Sequence, residues 1–168
     1  GPQFHGSTWS AQTAEEVLAD VDRLRPKYDF DGIFFNDDNF AVSKKRTIDI
    51  ADGLAKRGIK FGLSLVAGYF DEETVKHLSE CGCQRLYWGP ESGSQRMLDI
   101  YAKGTTPEQT LDLATWCGKY GMGALMGFMV GHPEETDEDL NLTMDHIDEL
   151  MGIHPGLDIS DIKIFTPY

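Results

Sequence analysis

Cysteine is scarce in this chain: Cys81, Cys83 and Cys117 are all there is. An odd, small number excludes a disulfide framework and fits a reducing, cytoplasmic compartment. Cys81-Gly-Cys83 is too tight for an ordinary zinc loop and has no second pair, so no metal ligand set is assigned from it. Positive charge is also short. Fifteen Lys and Arg face 28 Asp and Glu, for a net charge of −13. That excludes bulk attraction to nucleic acid or to anionic membrane, which needs clustered cations. No apolar run approaches the roughly 20 residues of a membrane-spanning helix, and no secretory signal pattern opens the chain. Neither Gly-x-Gly-x-x-Gly nor Gly-x-x-x-x-Gly-Lys-Ser/Thr occurs, so the common phosphate cradles are missing. Hairpin signals such as Asn-Gly are absent between the apolar runs, which argues against an antiparallel meander.

What is present reads as strand and helix in alternation. Hydrophobic residues make up 40% of 168, enough for one core and one domain spanning residues 1–168. Residues 1–12 form an irregular lead-in, from which His5 and Trp9 can pack on the body. Thr13 with Glu16 makes a capping box, Val17, Val21 and Leu24 follow at helical spacing, and Pro26 marks the end. Short apolar strands are expected at residues 32–35, 60–67, 85–88, 123–130 and 157–165. Helices between them are capped by Ser43, Asp71, Thr106 and Thr136. In the last helix Leu140, Thr143, Met144, Ile147, Leu150 and Met151 form the expected buried stripe. The pattern predicts a parallel sheet with crossover helices, its polar turns gathered at one rim.

The run Leu86-Tyr-Trp-Gly-Pro-Glu-Ser-Gly-Ser94 is the centre of this arrangement. A buried strand that gives way to small and acidic residues before a helix is the usual ligand position in an α/β protein. At the first strand's mouth Asp37, Asp38 and Asn39 cluster. Adjacent side chains on an extended segment point opposite ways, so one acid is expected to face the site and the other to cap the next turn.

Four turns occur in order: Phe35-Asn-Asp-Asp-Asn-Phe40, Gly89-Pro-Glu-Ser-Gly-Ser94, Tyr101-Ala-Lys-Gly-Thr-Thr106 and Gly127-Phe-Met-Val-Gly-His-Pro-Glu-Glu135. Together they closely resemble the core of the radical S-adenosylmethionine enzymes, especially the branch that often carries a cobalamin domain. The resemblance implies an incomplete parallel (β/α) barrel, about five βα units of the family's six-unit partial barrel. It implies S-adenosylmethionine and a [4Fe–4S] cluster as cofactors of the parent protein, with cobalamin a further one. Reductive cleavage there yields a 5′-deoxyadenosyl radical that attacks a small-molecule substrate.

By the same resemblance Glu91 and Ser92 meet the amino group or ribose of S-adenosylmethionine, and Lys103 meets its carboxylate. Asp37 and Asp38 border the ligand, while Gly127, Phe128, Met129 and Val130 lie near adenine. His132 is expected on the surface, and Thr166 and Tyr168 at the last strand's mouth. Cysteines in the family's Cys-x-x-x-Cys-x-x-Cys spacing are absent, so the chain as given is expected to lack cluster binding and activity. A missing first strand would leave an open sheet edge for a partner or for self-association. The alternative is a non-catalytic, degenerate (β/α) barrel used for binding or assembly.

Overall fold

Among the described residues every helix starts where a short oxygen-bearing side chain can satisfy its first amides. In the computed structural model, which describes residues 10–166, the elements are α1 (Ala14–Tyr28), β1 (Gly32–Phe35), a 3-10 turn (Phe40–Val42), α2 (Lys44–Lys56), β2 (Lys60–Ser64), α3 (Glu72–Glu80), β3 (Cys83–Glu91), α4 (Gln95–Ile100), α5 (Pro107–Lys119), β4 (Gly123–Val130), α6 (Asp137–Ile153) and β5 (Leu157–Ile164). Thr13, Ser43, Asp71, Ser94, Thr106 and Thr136 each accept a hydrogen bond from a first-turn amide. Thr13, Thr106 and Thr136 complete capping boxes with Glu16, Gln109 and Asp139.

The five strands form one parallel sheet in the order β1-β2-β3-β4-β5. Each of β1 to β4 therefore pairs with the next strand in sequence. Parallel crossovers are right-handed, so a sheet wound steadily in one direction carries its helices on one face. There Leu63, Leu86, Met126 and Phe128 of the strands pack with Leu54, Leu78, Leu113 and Leu150 of the helices, all buried. The other face is open, and Phe34 upon it is half exposed. Among the described residues β1 and β5 each have one unpaired edge. This is an incomplete (β/α) barrel, as the alternation predicts. No helix among the described residues is long and apolar enough to cross a membrane.

Several local expectations change. Pro26 does not end α1; it sits inside the last turn, and Asp29 closes the helix in the left-handed region at φ 44°. There the proline forfeits only its own amide bond, which the helix end tolerates. The second strand stops at Ser64, short of residue 67, and the third runs on to Glu91 rather than turning at Gly89. Neither acid after β1 caps the next turn: Asn39 does, accepting from the Ala41 amide. Cys83 opens β3. The buried stripe of α6 is rotated: Asp139, Thr143, His146, Ile147 and Leu150 face inward, while Leu140, Met144 and Met151 are exposed. His5, Trp9 and Tyr168 lie outside the described residues.

Candidate functional site

Because all five strands run the same way, their C-terminal ends meet at one rim. A hollow of about 260 Å³ opens there, bordered by the loop 36–38, by Ser64, by Tyr87 to Gly89, and by Glu91 and Lys103.

β3 builds the centre of this hollow through an irregularity. From Trp88 to Glu91 it advances three residues while its partner β4 advances two, from Met126 to Phe128. Glu91 takes a left-handed φ of 64° at this bulge. For a side chain with a Cβ that conformation costs on the order of 1 kcal/mol. Gly89 makes it possible, since a Cβ there would lie 2.3 Å from Glu91 Oε1. The carboxylate fills the space a side chain at position 89 would take.

Lys103 comes from the opposite side. It follows α4 between Ala102 at φ 52° and Gly104 at φ 65°, and its amide donates to the Leu98 carbonyl at 3.1 Å. These two left-handed residues turn the chain so that Lys103 Nζ reaches Glu91 Oε1 at 2.6 Å. Both side chains are partly shielded, 34% and 20% exposed. A charge pair held this way is stronger than a fully solvated one.

Asn39 ties two of the rim loops. Its Oδ1 accepts from the amides of Ala41 at 3.1 Å and Val66 at 3.2 Å. Asp37 and Asp38 are exposed and both border the hollow; Asp37 also edges a groove between α1 and β1. Ser64 is buried, and its Oγ has no hydrogen-bond partner among the described residues. A buried unpartnered hydroxyl at the wall of a hollow is an open acceptor and donor for a ligand.

Ser92 has a different setting. It is fully buried, its Oγ sits 2.8 Å from Thr143 Oγ1, and it accepts from the Ser94 amide at 3.0 Å. Ser94 Oγ in turn donates to Asp139 Oδ1 at 2.5 Å, and Arg96 clamps Asp139 from outside. The Arg96 guanidinium, with Ser94 and Thr136, holds the Asp139 carboxyl far below the usual carboxylate range. This network pins the loop after β3 to α6. Gly93 lets the two meet, as a Cβ there would fall 2.3 Å from the Leu142 carbonyl oxygen.

Of the four β4 residues, Gly127 lies on the open side of the sheet, where a Cβ would come 2.8 Å from Asp161 Oδ1 and 3.3 Å from Tyr87 Oη. Met129 shares that side by strand alternation and is half-buried, as is Val130. Phe128 is turned the other way into the core, edge-on to His146. His132 is half-buried between the rings of Tyr101 and Phe165, at centroid distances of 5.5 and 4.5 Å. Thr166 is exposed and its Oγ1 bonds back to the Ile164 carbonyl at 3.4 Å. Ser64, Tyr87, Asp161 and Lys163 are additions that the motif-based reading misses. Lys163 Nζ pairs with Asp161 Oδ2 at 3.0 Å. The only sequence signal for that pair is the alternation Asp161-x-Lys163 inside the last strand.

The cysteines do not fit an iron–sulfur centre at this rim. Cys83 begins β3 and Glu91 ends it, a span of about 26 Å along an extended strand. Cys117 is buried in α5, and burial pushes its thiol, like that of Cys83, up to about 12.

The sequence profile of the Radical SAM superfamily matches residues 6–147. An uncharacterized methyltransferase of Pyrococcus horikoshii is 34% identical over 165 residues, which is 97% of this chain and 35% of that protein. The bacteriochlorophyllide d C-8(2)-methyltransferase of Chlorobaculum tepidum is 27% identical over 182 residues, covering 99% of this chain and 38% of the relative. The chain thus spans about a third of the length of these relatives. Among solved structures, the radical S-adenosylmethionine methyltransferase TsrM from Kitasatospora setae, with cobalamin and a [4Fe–4S] cluster bound, superposes with a TM-score of 0.75 at 19% identity. That match covers 89% of this chain and 31% of TsrM. The cobalamin-dependent enzyme OxsB, with aqua-cobalamin bound, gives a TM-score of 0.71 at 24% identity over 83% of this chain and 23% of OxsB.

Proposed function

The chain belongs to the Radical SAM superfamily, and from that premise we propose that its rim is the S-adenosylmethionine-binding wall of a cobalamin-dependent, methyltransferase-type enzyme. The observation that carries this reading is the Glu91–Lys103 pair at the hollow, held by three left-handed backbone positions. The methionine end of S-adenosylmethionine is a zwitterion. Its ammonium suits Glu91 and its carboxylate suits Lys103, so entry exchanges one ion pair for two without stranding a charge. Ser64 Oγ, which lacks a partner, gains one when a polar ligand fills the hollow. Asp37 or Asp38 is suited to ribose hydroxyls, while Gly127 and Met129 leave space and apolar cover for adenine. Ser92 and Phe128 serve from behind, by fixing the loop after β3 and filling the core.

S-adenosylmethionine supplies the family's radical chemistry when it is bound at a reduced cluster. These residues contribute binding, orientation and exclusion of water. The methyltransferase names of the relatives and the cobalamin in the structural neighbours favour methyl transfer to a small molecule. The test is product analysis with the full-length, cluster-reconstituted protein under anaerobic reduction. Release of 5′-deoxyadenosine or S-adenosylhomocysteine from S-adenosylmethionine is expected. A cluster-loaded protein that forms neither would overturn the proposal.

A further inference from the structure

On the outer, helical layer, at the opposite end of β3 from the rim, three side chains of different chemistry converge. Asp52 projects from α2, His77 from the last turn of α3, and Cys81 caps that helix. His77 Nε2 lies 2.8 Å from Asp52 Oδ1, Cys81 Sγ lies 3.4 Å from the same oxygen, and Sγ and Nε2 are 3.5 Å apart. We propose that Asp52, His77 and Cys81 form a surface site for one borderline-soft divalent cation, with zinc as the best fit.

The geometry favours a common centre. Tetrahedral zinc with oxygen, nitrogen and sulfur ligands at about 2.0–2.3 Å has ligand–ligand edges of roughly 3.4–3.6 Å. The two edges to sulfur already match, and the oxygen–nitrogen edge needs to open by only about 0.6 Å on that geometry. His77 and Cys81 stand four residues apart, so one helical turn sets both toward the same point. A carboxylate, an imidazole and a thiol together suit zinc better than calcium or magnesium, which prefer all-oxygen shells. The fourth position faces solvent, because the Asp52 and His77 side chains are 44% and 38% exposed. A shallow hollow of about 330 Å³ between α2 and α3 adjoins His77 and gives the ion a way in.

Binding requires one proton to leave. Burial and the neighbouring Asp52 carboxylate push the Cys81 thiol up to about 11. At neutral pH the metal therefore displaces the Sγ proton to water as the sulfur–metal bond forms, with no change of oxidation state. The Asp52 carboxyl is held below its usual range: burial works against this, and the contacts from His77 and Cys81 outweigh it. It arrives charged. Once filled, the site clips α2 to α3.

The test uses the untagged 168-residue chain with Co²⁺ and Zn²⁺ as probes, before any iron is added. One equivalent of Co²⁺ is expected to give a near-ultraviolet thiolate charge-transfer band with intense tetrahedral visible bands, both displaced by Zn²⁺. Cys81→Ser should abolish the charge-transfer band, while His77→Gln and Asp52→Asn should weaken binding by at least about tenfold. In the wild-type chain one equivalent of Zn²⁺ should slow alkylation of Cys81 at least about tenfold, read by peptide mass spectrometry. This second readout needs no variant. Unchanged alkylation, no thiolate band, or a band that persists in Cys81→Ser would each overturn the site.

Discussion

Lys103 Nζ stands 2.6 Å from Glu91 Oε1, and the two meet because the backbone is left-handed at Glu91, Ala102 and Gly104. Two of these three residues carry a Cβ, so the conformation is held by the surrounding structure against local preference. A bulge in β3 and a short helix end have been bent to aim one carboxylate and one ammonium at the same hollow.

Removing either charge should therefore be felt as ligand affinity rather than as fold. Glu91→Gln and Lys103→Ala in the full-length, cluster-loaded protein are each expected to weaken S-adenosylmethionine binding about tenfold, about 1.4 kcal/mol. Anaerobic titration calorimetry reads this directly. Wild-type affinity in both variants would remove the pair from the binding site.

Gly89→Ala tests the same pair without touching a charge. The new Cβ would sit 2.3 Å from Glu91 Oε1, so the carboxylate must swing off Gly89. Affinity for S-adenosylmethionine should fall by a factor similar to that of Glu91→Gln. The circular dichroism spectrum should not change, because β3 accepts alanine at this position without a positive φ.

Ser92→Ala should behave in the opposite way. Its hydroxyl is spent on Thr143 and the Ser94 amide. The variant should lose about 1–2 kcal/mol of stability through those unpaired partners, with S-adenosylmethionine affinity unchanged. Chemical denaturation paired with calorimetry separates the two effects. A large affinity loss at unchanged stability would return Ser92 to the ligand.

Stability at low pH should depend on Asp139. Its folded-state pKa lies below the unfolded value, chiefly through the Arg96 contact and then through Ser94 and Thr136. The contribution is thus present above the unfolded carboxylate value, about 3.9, and is lost as pH falls below it. Asp139→Asn should cost roughly 2 kcal/mol at pH 7, discounted because Arg96 is half exposed. The difference from wild type should shrink as pH drops from 4 toward 2. Urea midpoints across that range measure it.

The sequence is informative here where the determinants are local. Thr13, Asp71, Thr106 and Thr136 reveal their helices because a cap needs only its own first turn, and the βα rhythm follows from strand-length apolar runs. Glu91 and Lys103 stand out by motif, but the φ values that join them depend on the bulge against β4, which no local pattern encodes. The stripe of α6 misleads for a related reason. Apolar periodicity points to Leu140, Met144 and Met151, yet Arg96 and Ser94 hold Asp139 inward and turn those side chains to solvent. Ser64 and Lys163 escape attention because a single polar residue in a strand is common and only the sheet's open face gives it meaning.

The strand order also has a kinetic side. Among the described residues β1 to β4 each pair with the next strand in sequence, so none of these four pairings waits for a distant segment to return. Each closure spans a single crossover, a smaller entropic cost than interleaved strands would incur, and lower contact order goes with faster folding. Each new βα unit can dock on the one before it as synthesis proceeds from the N-terminus. The outer edge of β1 stays open throughout among the described residues, while the advancing edge is covered by each new strand in turn.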